Sequence, residues 1–198
     1  MTHHLIVPGV GGSDSNHWQS WLQRRLTTSS RVEQQWDRPI LDEWVSQWVN
    51  AVKNIQAPIE IVAHSFGCLT SIAALAAHPE LAVKVSKLLL VAPANPARFG
   101  EAGFVQDSKT NYQHHFETLH IQVPSIMFIS ENDPWLEFYD AQNWAKRWNV
   151  PVINLGQVGH INVTSGFGPF PEILPYLAAS SHCAVATRMC SATQPLSQ

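Results

Sequence analysis

The stretch Ile59-Glu60-Ile61-Val62-Ala63-His64-Ser65-Phe66-Gly67 constrains the fold more than any other part of the chain. It runs a segment suited to a buried strand into Ser65 and then directly into an apolar helical segment, Phe66–Ala77. A turn this sharp needs small residues two before and two after the serine, where larger side chains would collide, and it leaves the hydroxyl exposed at the sheet edge. Gly67 meets that need, and Ala63 departs from the usual glycine by one methyl. The same pattern would also suit a serine that only caps the following helix.

The rest of the chain repeats the alternation of short apolar runs and longer helical segments, which predicts a three-layer α/β fold with a mostly parallel sheet and helices on both faces. About six strands are expected, at His3–Pro8, Arg31–Gln35, Ile59–Ala63, Lys87–Ala92, Ser125–Ser130 and Val152–Leu155. Trp18, Trp21, Leu22 and Leu26 fall on one helical stripe, and Leu41, Trp44, Val45, Trp48, Val49 and Val52 on another, so most of the tryptophans are assigned to the core. A further helix is expected over Glu137–Trp148. The less regular segment Asn95–His120 reads as an insertion with short helices at most, placed to roof a pocket. Residues 1–179 form the predicted domain, and residues 180–198, rich in Ser, Thr, Ala and Gln, a disordered tail.

Composition excludes several classes. Apolar residues make up 45% of the chain and charged residues 14%, enough for a packed core. A formal net charge of -3 without a basic run argues against nucleic acid as a partner. No apolar stretch approaches the roughly 18 residues of a membrane span, and the start has no basic leader, so no membrane association and a cytoplasmic location are expected. Cys68, Cys183 and Cys190 form no C-x-x-C pair, and Cys68 sits in an apolar helical run as a packed thiol. The histidines lack metal-ligand spacing, so neither metal nor cofactor is expected, and the glycine-rich loop Pro8–Ser13 lacks the lysine of a phosphate cradle.

A serine hydroxyl needs a histidine as general base and a carboxylate to orient that histidine. In this type of fold the acid and the histidine follow the serine in chain order, on loops after later strands. Asp133 stands directly after the run Ser125–Ile129, with Glu131, Asp107 and Asp140 as weaker competitors. His160 follows the last predicted strand beside Gly159. Ser65, Asp133 and His160 are therefore the candidate catalytic residues. The N–H of Phe66 and that of Val10 are the candidate oxyanion donors, with Gly11 as the fallback. Gly9, Gly11, His17 and His64 are candidate pocket residues, although His17 equally suits a hydrogen bond at a helix start.

Together these residues resemble the YdeN and retinoblastoma-binding-protein-nine type of small serine hydrolase. The resemblance covers most of the chain. It rests on Val7-Pro8-Gly9, His17-Trp18-Gln19 with Trp21, Ala63-His64-Ser65-Phe66-Gly67-Cys68, Asn132-Asp133-Pro134, and Gly159-His160-Ile161-Asn162 with Ser165-Gly166-Phe167-Gly168-Pro169. It implies a compact α/β-hydrolase fold with little or no cap domain, acting on a small-molecule carboxylic ester through Ser65, Asp133 and His160. The L-x-C-x-E stretch through which the eukaryotic member is known to bind a partner does not occur here, so no protein partner is inferred. Two alternatives share these residues: a protein-binding module on a hydrolase scaffold, and an acyltransferase using the same triad.

Overall fold

A computed structural model describes residues 1–100, 103–105 and 110–178. Six strands form one sheet in the order β2-β1-β3-β4-β5-β6. They are β1 (His3–Val7), β2 (Ser29–Arg31), β3 (Ile59–Ser65), β4 (Val85–Pro93), β5 (Ser125–Ile129) and β6 (Val152–Asn154). Every pairing is parallel, so the expected mostly parallel sheet is parallel throughout.

Side chains alternate across a strand, and here the alternation feeds two cores. Leu5, Ile61, Ala63, Leu88, Leu90 and Met127 face the first core, beneath α2 (Leu41–Asn54), α3 (Phe66–Ala77), α4 (Tyr112–Glu117) and α5 (Phe138–Trp148). Ile6, Val62, Leu89, Val91 and Phe128 face the second. Among the described residues that face carries α1 (Trp18–Gln23) and a 3₁₀ turn at Pro171–Tyr176, and Trp18, Trp21, Phe170 and Ile173 pack in this core. The tryptophans thus act as the sequence predicts: Trp18, Trp44, Trp48 and Trp148 are fully buried.

The second strand is shifted from its expected place at Arg31–Gln35. Its register is fixed by the short β1, with His4 opposite Ser29 and Ile6 opposite Arg31, and the Val32 N–H donates to the Ile6 carbonyl as the last rung. Val32 is apolar because it is buried in the first core, not because it belongs to the ladder. β3, by contrast, runs two residues past its expected end, to Ser65 itself.

In α3 the buried Thr70 and Ser71 donate to the carbonyls of Phe66 and Gly67 one turn back, which allows an otherwise apolar helix to hold two hydroxyls out of water. The insertion holds a 3₁₀ turn at Pro96–Arg98 and the six-residue α4. Its residues 101, 102 and 106–109, including the competing acid Asp107, lie outside the described residues, as do the predicted tail at 180–198 and Cys183 and Cys190. Among the described residues no helix is long and apolar enough to cross a membrane.

Candidate active site

The elbow is built as its sequence requires. Ser65 has φ 53° and ψ -122°, a conformation that costs a non-glycine residue energy and is held by the strand before it and the helix after it. Gly67 permits the turn: a Cβ there would collide with the carbonyl oxygens of Val7 and Pro8. Gly9, expected in the pocket, does not line it. It packs behind the elbow, where a Cβ would stand 2.7 Å from Ser65 Cβ and 3.1 Å from the His64 carbonyl oxygen.

Three distant side chains meet at the carboxyl ends of the strands. His160 Nε2 lies 2.9 Å from Ser65 Oγ, while its Nδ1 lies 2.8 and 3.0 Å from the two Asp133 carboxylate oxygens. Since a carboxylate only accepts, Nδ1 carries the proton and Nε2 is left as an acceptor for the Ser65 hydroxyl. Asp133 is also held by the Trp135 N–H at 2.8 Å. Both His160 and Asp133 are buried. The competing Glu131 turns away and accepts from the Asn154 amide at 2.9 Å.

The two loops that carry Asp133 and His160 are joined one residue earlier as well. Asn132 Oδ1 accepts the Gly159 N–H at 2.7 Å, and Ser130 Oγ accepts the Val158 N–H at 3.1 Å. Beyond His160 the chain passes through Ile161, fully buried at φ 49°, an outlying conformation for a β-branched residue. It then closes on a reciprocal cap between Asn162 and Ser165. These contacts fix the ring that must meet Ser65.

Beneath His160 lies His64. Its Nε2 is 3.0 Å from the His160 carbonyl oxygen, and because a carbonyl only accepts, that nitrogen is protonated. The His17 ring follows at 5.0 Å from His64, with its Nδ1 accepting the Gln19 N–H at 3.1 Å at the start of α1. His17 is thus both a helix cap and a wall of the pocket. Burial, aided by the other two histidines, pushes His64 well below the usual imidazole range. Burial is also the main reason that His17 is lowered to about 4, against an opposing pull from Asp14. Both rings are neutral near pH 7. Cys68 is buried and unsuited to attack, since burial pushes its thiol far above the usual range.

Two backbone donors stand ready near the elbow. Neither the Val10 N–H nor the Phe66 N–H donates to a group among the described residues, whereas the Gly11 N–H is committed to the Trp36 carbonyl at 3.0 Å. Gly11 is thereby removed as the alternative donor. Gln19, fully buried, braces this region by donating to the Val7 and Val62 carbonyls while accepting from Ser13. No sequence pattern singles out Gln19 beyond its place in His17-Trp18-Gln19.

The cavity above Ser65 has a volume of about 590 Å³ and includes Val10, Gly11, His17, His64 and His160 in its walls. Arg98 and Phe104 line it from the insertion, as the roofing expectation has it, and Trp135 lines it from the Asp133 loop. These three were not recognisable from sequence as pocket residues. Among the described residues no cluster of His, Cys, Asp and Glu is arranged to hold a metal ion.

A family model described as serine hydrolase matches residues 4–179. Among solved structures, a YdeN-like hydrolase from Pectobacterium atrosepticum is 33% identical, with 89% of this chain and 88% of that chain covered and a TM-score of 0.74. The ydeN gene product of B. subtilis is 18% identical over 89% of this chain and 96% of that chain, with a TM-score of 0.68. At 11% identity, a monoacylglycerol lipase from Paleococcus ferrophilus shares the fold over 80% of this chain and 85% of its own, with a TM-score of 0.58. No curated protein matches the chain.

Proposed function

The chain belongs to the serine hydrolase family, as an α/β hydrolase of YdeN type, and from that membership we propose that it hydrolyses small carboxylic esters with Ser65 as nucleophile. The observation that carries this reading is the continuous hydrogen-bonded line from Ser65 Oγ through both nitrogens of His160 to Asp133.

In the proposed reaction, Ser65 Oγ bonds to the acyl carbon as its proton passes to His160 Nε2. Asp133 holds the ring in the required tautomer and stabilises the imidazolium. The Val10 and Phe66 N–H groups receive the charge that develops on the carbonyl oxygen. Collapse breaks the bond to the leaving alkoxide, which takes the proton from His160 and departs as the alcohol. Water then repeats the sequence on the acyl-enzyme, returning free Ser65 and the carboxylic acid. The partly exposed Val10, Trp135 and Val163 in the cavity wall suit a substrate with an apolar portion.

The test is labelling with a fluorophosphonate alongside a panel of 4-nitrophenyl esters. The native protein should be labelled and should hydrolyse at least the short esters, while Ser65→Ala does neither. Equal labelling of the two proteins would remove Ser65 from the mechanism.

A further inference from the structure

The hydrolytic reading leaves one group in the cavity without a role. Arg98 is the only Lys or Arg among the described lining residues, and it is half-buried. Its guanidinium carbon lies 4.3 Å from the centre of the Trp135 ring and 4.9 Å from that of Phe104. Both rings border the reacting groups. Trp135 stands edge-on to His160 with 6.5 Å between centroids, and Phe104 packs against Phe66, the residue after the nucleophile, at 4.5 Å.

The backbone presenting this cation is ordered. Asn95 accepts the Ala97 N–H at 2.9 Å through its side chain, the Arg98 N–H donates to the Asn95 carbonyl at 3.0 Å, and the Arg98 carbonyl accepts the Phe104 N–H at 2.8 Å. A guanidinium held by aromatic faces keeps its N–H groups for acceptors in its own plane. Among the described residues no carboxylate forms an ion pair with it. Three carboxylates belong to or border this cavity: Asp133, whose charge reaches Arg98, serves His160 and the Trp135 N–H, Asp14 accepts from the Asn16 and His17 N–H groups, and Asp37 is exposed in the wall and forms no ion pair among the described residues. With His17 and His64 neutral, Arg98 is the fixed positive charge among the described residues lining this cavity.

A partly desolvated guanidinium that forms no ion pair among the described residues, in the same cavity as a nucleophilic serine, has the chemistry of an oxyanion receptor. We propose that Arg98 binds an anionic group of the substrate, a carboxylate or a phosphate a few bonds from the scissile carbonyl, so that the enzyme selects esters bearing a negative charge. This inference rests on the reading of Ser65 as the nucleophile.

Paired anionic and neutral esters of the same alcohol or acyl framework test it. On the leaving-group side, 4-acetoxybenzoate and 4-acetoxyphenyl phosphate are compared with methyl 4-acetoxybenzoate; on the acyl side, mono-4-nitrophenyl adipate is compared with 4-nitrophenyl hexanoate. The readout is the ratio of kcat/KM for the anionic ester to that for its neutral partner, in wild type, Arg98→Lys and Arg98→Met. For at least one pair the ratio should fall about tenfold or more in Arg98→Met and by less in Arg98→Lys, which keeps the charge but loses the planar fork. The responding pair then tells which side of the ester, and which oxyanion, Arg98 serves. Ratios that fall less than this in every pair, with neutral esters still cleaved, overturn the inference and leave the nucleophile in place. Failure of the wild type to cleave any ester or to take the fluorophosphonate at Ser65 removes both.

Discussion

His64 Nε2–H donates to the backbone carbonyl of His160 across 3.0 Å, so the residue before Ser65 holds the main chain of the proposed general base. The two are separated by 96 positions along the chain, and their rings pack at 5.0 Å. The elbow thereby orients its own serine and also sets the depth at which the imidazole sits. A neutral His64 suits that duty, since a buried imidazolium would place a second charge beside the one that His160 acquires in the proposed reaction.

Loss of this bond is expected to act on turnover. His64→Phe fills the space but cannot donate, and a displacement of the base by about 1 Å can cost roughly 100-fold. We expect kcat on 4-nitrophenyl acetate to fall by about 10- to 100-fold with little change in KM, and His64→Gln, whose amide can still donate, to recover part of the loss. Unchanged kcat in His64→Phe would show that the bond has no part in placing His160.

Gly9→Ala tests the packing behind the elbow. The added methyl would stand 2.7 Å from Ser65 Cβ, 3.1 Å from the His64 carbonyl oxygen and 3.3 Å from the Phe66 nitrogen. These atoms belong to the elbow itself, so relief comes only by moving it. The expected result is a folded protein with fluorophosphonate labelling slowed by roughly 100-fold. Labelling at the wild-type rate would mean that the loop yields instead.

The legible part of the site was the part written in short local patterns. Ser65 was marked by a strand, small flanking residues and an apolar helix, and Asp133 and His160 each by a strand end and a turn. Their meeting in space follows from parallel strands that all deliver their carboxyl ends to one edge. Contacts made at long range carry no such mark. Neither the Asn132 to Gly159 bond nor the bond from His64 to the His160 carbonyl has a sequence pattern, and Arg98 looks like any surface arginine until the insertion folds it against Trp135. The shift of β2 has the same origin: Val32 is apolar for the sake of the helix above it, and the register is decided by β1.

At the opposite end of β3 from Ser65, the buried Glu60 ties the last described turn to the sheet. Its carboxylate accepts the Ala178 N–H at 2.8 Å and lies 3.3 Å from His4 Nε2 and 3.5 Å from Lys87 Nζ, while Lys87 donates to the Tyr176 carbonyl at 2.7 Å. Burial alone would raise the pKa of Glu60, yet these partners outweigh it and the carboxyl is lowered. Glu60→Gln should therefore cost about 3 kcal/mol of stability, as breaking a buried pair from one side does, with kcat on short esters retained. Denaturant midpoints equal to wild type would show that the cluster is not stabilising.

His17 makes stability depend on pH in a direction that its burial fixes. An unfolded imidazole protonates near 6.5, whereas folded His17 does so at about 4, burial and the charges of Arg31 and His160 outweighing the pull of Asp14. Between those values the unfolded chain binds the proton and the folded chain does not. Stability is therefore complete above pH 6.5, falls as the solution is acidified toward pH 4, and gains no further loss from this group below that. The span corresponds to roughly 3 kcal/mol, and His64, lowered for the same cause, adds a loss of the same sign. His17→Asn keeps an acceptor for the Gln19 N–H but has no titrating ring. Urea unfolding between pH 7 and 4.5 should show the variant losing about 2 kcal/mol less than wild type, the remaining slope belonging to His64 and the carboxylates. If the two proteins lose stability in parallel, the folded ring of His17 takes up its proton as readily as the unfolded one, and burial does not hold it neutral.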